Sequence, residues 1–164
     1  MNILKLELTH FGKFHLKTIT FTSGLNIVYG KNEAGKSTIH AFVRSMLFGI
    51  PDTEEGNERY SHYLPWETPH DFCGRMWIKK DDKVYRIERN FLRPQPTVRV
   101  FDDETGESLQ PAKQHLRQIL SGLTETSYLN TICIEQLKSA TDPQLAKELE
   151  DMAVNASQSK NLNI

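Results

Sequence analysis

The octet Gly30-Lys31-Asn32-Glu33-Ala34-Gly35-Lys36-Ser37 satisfies G-x-x-x-x-G-K-[ST] at every fixed position. Its residue types suit one kind of chemistry, the holding of a polyphosphate. Gly30 and Gly35 let the backbone turn tightly and come close to an anion, so that successive N–H groups point at it. The helix that follows adds its unpaired first-turn N–H groups and the positive end of its dipole. Lys36 supplies a mobile ammonium for the β and γ phosphates. Ser37 supplies a hydroxyl placed to ligate Mg²⁺, with Thr38 beside it. The plainer alternative is a glycine turn with a chance lysine, and it must explain why octet, preceding strand and following helix all agree.

Those two flanking elements are legible around the loop. The apolar run Leu25 to Tyr29 predicts a buried strand that delivers the chain to Gly30. Ile39, Phe42, Val43, Met46 and Leu47 fall at i, i+3, i+4, i+7 and i+8, which predicts a helix with one buried stripe, stopped by Gly49 and Pro51. Upstream, Leu4, Leu6 and Leu8 alternate with Lys5, Glu7 and Thr9, a half-buried strand. His10 to Lys13 make a turn and Phe14 to Phe21 form a second strand. Two amphipathic strands thus precede the buried one, an antiparallel layer beside a nucleotide-binding sheet.

Residues 50–72 show no period and contain Pro51, Pro65 and Pro69, so they read as an irregular stretch. Their aromatics, Tyr60, Tyr63 and Trp66, either pack on the core or touch a base or a partner. Two hairpins follow: Met76-Trp77-Ile78 and Val84 to Phe91 flank a charged turn at Lys80 to Lys83, and Thr97 to Phe101 enters a turn at Asp102 to Gly106. The basic set Arg75, Lys79, Lys80, Lys83, Arg86, Arg89, Arg93 and Arg99 lies here. A solvated strand face is its default meaning and a DNA-backbone contact the sharper one, weakened by the interspersed Asp81, Asp82, Glu88, Asp102, Asp103 and Glu104. Pro111 opens a second helix with Ala112, Leu116, Ile119 and Leu120 on one face and Gly122 beyond it. Thr124 caps a short segment. Thr131 to Glu135 reads as a short strand ending at Gln136, and Asp142-Pro143 start a helix before a polar stretch, residues 155–164, without a closing element.

Composition sets the outer limits. A chain of 164 residues buries a real core, enough for one domain but small for a complete ATPase head. Its net charge of −1 gives no global field to attract nucleic acid. Cys73 and Cys133 are far apart and outside any CxxC, the pattern of buried thiols in a reducing compartment. Met1 runs straight into the first strand pattern, with no signal-peptide core and no apolar run that would span a bilayer, so a cytoplasmic protein without membrane contact is expected.

Two stretches imitate catalytic motifs. Val98-Arg99-Val100-Phe101-Asp102-Asp103-Glu104 has the outline of a Walker B strand, yet Arg99 interrupts a strand that should be buried on both faces, and the acids suit a hairpin turn. Leu120-Ser121-Gly122 starts like an LSGG signature, but Leu123 replaces the second glycine and the tripeptide sits where a helix-ending glycine is expected. No general base for water emerges from the residues.

The pattern Leu4-Lys5-Leu6 through His10-Phe11-Gly12-Lys13-Phe14, then Gly24-Leu25-Asn26-Ile27-Val28-Tyr29 into the octet and Thr38, and finally Met46-Leu47-Phe48-Gly49, resembles the N-terminal half of an SbcC/SMC/RecN-type ATPase head. The Asn-Glu-Ala-Gly-Lys-Ser-Thr version and the Leu-Phe-Gly-Ile-Pro ending look most like the YhaN-like branch of coiled-coil DNA-repair ATPases. The resemblance implies a partial α/β P-loop NTPase, a mixed sheet with antiparallel hairpins, the P-loop strand and flanking helices. It implies that residues 1–140 form the N-terminal lobe, from P-loop to Q-loop, and that 141–164 lead toward a coiled coil. It makes Thr131 to Gln136 the strand that ends in the Q-loop glutamine, with Gln136 a second Mg²⁺ ligand and a sensor of the γ-phosphate. It puts a nucleotide-contacting basic residue at Lys13, which by spacing alone is an exposed turn lysine. The implied cofactors are ATP and Mg²⁺. The implied partners are a C-terminal half carrying signature, Walker B and D-loop, a second head forming a homodimer, DNA and a nuclease subunit. None of those C-terminal motifs occurs in this chain, so hydrolysis is expected to need the other half.

Other P-loop classes fit less well. A transporter ATPase subunit also pairs a P-loop with a Q-loop, but 100 positions filled with hairpins separate Lys36 from Gln136. A GTPase lacks its Asn-Lys-x-Asp. A self-sufficient kinase needs lid arginines, and no spacing recommends Arg75 or Arg86.

Overall fold

β1 (Asn2–Phe11), the first strand of the chain, is hydrogen-bonded on both sides. The computed structural model describes residues 1–133. β2 (Phe14–Thr20), β3 (Cys73–Lys80), β4 (Lys83–Asn90) and β5 (Thr97–Asp102) join β1 in one five-stranded sheet of order β2-β1-β3-β4-β5. The two-residue turn between β3 and β4 is Asp81-Asp82, both with positive φ, the geometry that matches the twist of the strands it joins.

The cross-strand register sorts the side chains into two kinds of row. Leu6, Met76, Ile87 and Val100 are partners in succession across four strands and all are fully buried. The next row is Glu7, Arg75, Glu88 and Arg99, alternating in sign. Glu88, at 14% exposure, receives Arg75 at 3.3 Å, Arg86 at 3.1 Å and Arg99 at 2.8 Å. Beyond it, Lys5 lies over the Trp77 ring at 3.6 Å and Arg86 over Phe101 at 4.6 Å. One sheet face is therefore a core and the other a paired charge lattice.

α1 (Lys36–Phe48) covers the apolar face, burying Ala41, Phe42, Ser45, Met46 and Leu47. Phe42 lies so close to β3 that a Cβ on Gly74 would stand 2.4 Å from its ring, which is why the strand carries glycine there. Around Phe42 the rings of Phe11, Phe72, Phe91, Tyr60 and Tyr63 pack with centroids 5.1 to 5.6 Å apart. Arg89 ties the far end of α1 to β4 by donating to the carbonyls of Met46 at 2.7 Å and Leu47 at 3.3 Å. Burial pushes its guanidinium down to about 10, still far above neutral, so at pH 7 it is a cation at a helix C-terminus, the favourable end. α3 (Ala112–Ile119) packs on β5.

Four expectations change. The sheet is not mixed: all four pairings are antiparallel. Leu25 to Tyr29 forms no strand, and Leu25, Ile27 and Tyr29 are 87%, 79% and 94% exposed. A lone apolar run cannot bury itself or satisfy its backbone without neighbouring strands, and no strand among the described residues flanks it. Residues 50–72 are not wholly irregular, because α2 (Glu54–Tyr63) occupies their middle. Thr53 caps it by accepting from the Gly56 N–H, Glu54 and Glu55 fill its first turn, and Tyr60 and Tyr63, three apart, anchor it to Phe72 and Phe11. Thr131 and Ile132 belong to no strand but to a π-helical turn.

The chain divides into two units, Met1–Gly122 and Leu123–Ile164. In the second, Thr124 accepts the Ser127 N–H at 3.1 Å to start α4 (Glu125–Ser127), which continues into the π-turn Tyr128–Ile132. Gln136 and the helix expected from Asp142 lie outside the described residues. No helix among the described residues is long and apolar enough to cross a membrane.

Candidate phosphate-binding site

The loop between Gly30 and α1 is closed by an Ala34 N–H bond to the Lys31 carbonyl at 3.1 Å. Glu33 and Gly35 both take positive φ, 66° and 104°, and a Cβ at Gly30 would press on that of Ala34 at 2.8 Å. The same addition at Gly35 would meet the Phe14 ring at 2.4 Å, so the loop is moulded against the β1–β2 turn.

Lys36 folds into the hollow and donates to the carbonyls of Gly30 at 2.6 Å and Lys31 at 2.8 Å. An ammonium has three N–H donors, so one remains for an anion above the loop. Lys13 reaches from the β1–β2 turn to donate to the Glu33 carbonyl. Two cations are thereby held by main-chain oxygens of one loop.

The start of α1 differs from that of α2. It has no side-chain cap and no acidic residue in its first turn, whereas α2 has both. Lys36 and Ser37, its first two residues, are exposed. An uncapped, exposed helix N-terminus with lysine beside it suits a phosphate group, and the glycine loop fits the cradle such a group requires. For a magnesium ion the fit is partial. The Ser37 hydroxyl stands exposed in the first turn, and no group of three or more His, Cys, Asp or Glu side chains among the described residues forms an independent metal site.

The structure brings together Gly30, Lys31, Asn32, Glu33, Ala34, Gly35, Lys36, Ser37 and Thr38 on one loop and helix start, and adds Lys13 from another element. It does not speak of Gln136. The Walker B look-alike lies on β5, at the sheet edge, where the Asp102 carboxylate accepts the N–H groups of Glu104 and Thr105 and Asp103 accepts from the Trp77 indole at 3.0 Å. Ser121, of the signature look-alike, receives Lys80 at 2.7 Å. The candidate DNA-contacting basic residues are largely engaged: Arg75, Arg86 and Arg99 in the charge lattice, Arg89 on α1, and Arg93 on the Pro51 carbonyl and over the Tyr60 ring.

Beside the loop is a feature the sequence left undecided, a cleft of about 450 Å³ between the β1–β2 turn and residues 62–68. Trp66 stands in it, 91% exposed. Its neighbours Tyr60 and Tyr63 gave the same local signal but are half-buried against Phe72 and Phe11.

Comparison with known proteins fits this geometry. The family described as AAA domain matches residues 1–153, and the chain belongs to it, which makes it a P-loop NTPase domain. Residues of the chain are 43% identical over 56 positions to the uncharacterized protein YhaN of Bacillus subtilis, covering 34% of this chain and 6% of that protein. They are 26% identical over 146 positions to the DNA double-strand break repair Rad50 ATPase of Thermococcus kodakarensis, covering 83% of this chain and 15% of that protein. These relatives agree with the N-terminal region of an SbcC/SMC-type ATPase, and the chain spans only a small part of their length.

Proposed function

We propose that this chain is the ATP- and Mg²⁺-binding N-terminal lobe of an SbcC/SMC-like ATPase that acts in DNA processing or repair. The carrying observation is the uncapped start of α1 behind a glycine loop whose carbonyls hold Lys36 and Lys13. The Rad50 relative supports the link to DNA repair. Residues 30–38 would wrap the triphosphate with backbone N–H groups, Lys36 would turn its free N–H to the β and γ phosphates, and Ser37 would contribute one oxygen to magnesium. The ion, when bound, neutralises charge that builds on the phosphate oxygens. Gln136 would complete its shell and sense the γ-phosphate, with residues 1–140 as the lobe and 141–164 the approach to a coiled coil.

The exposed run Leu25, Ile27, Val28 and Tyr29 supports a second element of the proposal. An apolar strand sequence in water is what remains of a parallel sheet when its neighbours are elsewhere. The C-terminal half of the same ATPase would supply those neighbours, together with the catalytic carboxylate, and a second head would close the site. Hydrolysis then needs both.

Thermal unfolding with and without Mg-ATP tests the binding claim. At about 100 times the dissociation constant, bound nucleotide stabilises a fold by about 2.7 kcal/mol, which raises the melting midpoint of a domain this size by about 5–10 °C. The shift should vanish in Lys36→Ala, and an equal shift in that variant would overturn the proposal.

A further inference from the structure

We propose that the cleft beside the phosphate loop receives the base of the bound nucleotide, with the Trp66 indole as its stacking platform; this rests on the loop's role as the triphosphate site. Cleft and loop share a wall. Thr38, the residue after Ser37, lines the cleft, and so does Lys13, whose ammonium donates to the loop carbonyl of Glu33. A triphosphate on the loop therefore has a recess adjoining it, within the size range of small-ligand sites.

Exposure of one tryptophan means little by itself. Its mounting is what argues for use. The Gly12 N–H donates to the Tyr63 carbonyl at 2.7 Å, fixing the end of α2 to the β1–β2 turn. Past Trp66, the Thr68 hydroxyl lies 3.1 Å from Nδ1 of His10, and Nδ1 of His15 lies 3.1 Å from the same atom. The segment carrying Trp66 is thus pinned on both sides of the indole, while the ring itself packs on nothing that would account for it. Pre-positioned aromatic faces are where bases stack, because every base has a π-face to offer.

Binding of Mg-ATP and of Mg-tripolyphosphate, which has the same phosphates and no base, separates the two roles. In Trp66→Ala the affinity for ATP should fall by about 5- to 150-fold, the range of a lost base–aromatic stack, while tripolyphosphate affinity stays unchanged. Trp66→Phe should restore most of the ATP affinity. Unchanged ATP affinity in Trp66→Ala, or an equal loss for both ligands, would overturn the platform and leave the loop standing. Failure of the unaltered chain to bind either ligand would overturn both.

Discussion

Lys36 shows how far a residue's chemistry is legible before any fold is known. Its type and spacing predict a polyphosphate ligand, and in the structure the loop carbonyls of Gly30 and Lys31 occupy two of its ammonium's three donors. Trp66 shows the limit. Tyr60, Tyr63 and Trp66 share a proline-bounded stretch, and only the positions of Phe11, Phe72 and Gly12 decide which rings are covered. Cys73 makes a prediction at this scale. Burial pushes its thiol above the ordinary 9.0, Asp71 pushes the same way and Arg75 opposes them. The folded state thus prefers the neutral thiol, a contribution present below 9.0 and lost as pH rises through the higher folded-state value. Alkylation of Cys73, followed by mass spectrometry at pH 8, should run slower than in the unfolded chain, and equal rates would contradict the assignment.

At the scale of elements, alternation made β1 readable, because a half-buried antiparallel strand writes its two faces into a period of two, and the charged turn at Lys80 to Lys83 made the β3–β4 hairpin readable. The register adds what no single strand contains: the row from Leu6 to Val100 and the charge row from Glu7 to Arg99 exist only across four strands. α2 escaped detection because it is polar almost throughout and leans on two aromatics, although Thr53 followed by Glu54 and Glu55 was a start signal. The run from Leu25 to Tyr29 has strand composition but lacks partners, and composition cannot report an absent neighbour. Gly74 carries the prediction here. In Gly74→Ala the new methyl would meet the Phe42 ring at 2.4 Å and the Glu7 carbonyl oxygen at 2.9 Å. Overpacking of this kind should cost about 1–3 kcal/mol in denaturant unfolding without changing the ratio of ATP to tripolyphosphate affinity. A neutral effect would mean that α1 and β3 are less closely packed than described.

At the scale of the molecule, the chain joins a loop with the sequence pattern of a phosphate cradle to a sheet that is antiparallel throughout. Phosphoryl transfer asks a protein for position and charge, and a cradle supplies part of each. The acids that resemble a Walker B pair are committed to a hairpin turn and to Trp77, so they are poorly placed to activate water. The central claim is that this is a binding half-site whose chemistry waits for another half. Its most direct test is Mg-ATP binding and turnover measured on one sample of this chain, with Lys36→Ala alongside. The account predicts binding that depends on Lys36 with no steady turnover until the C-terminal half of the ATPase is supplied. Sustained turnover by the chain alone, lost in Lys36→Ala, would contradict it and place a complete catalytic site within these residues.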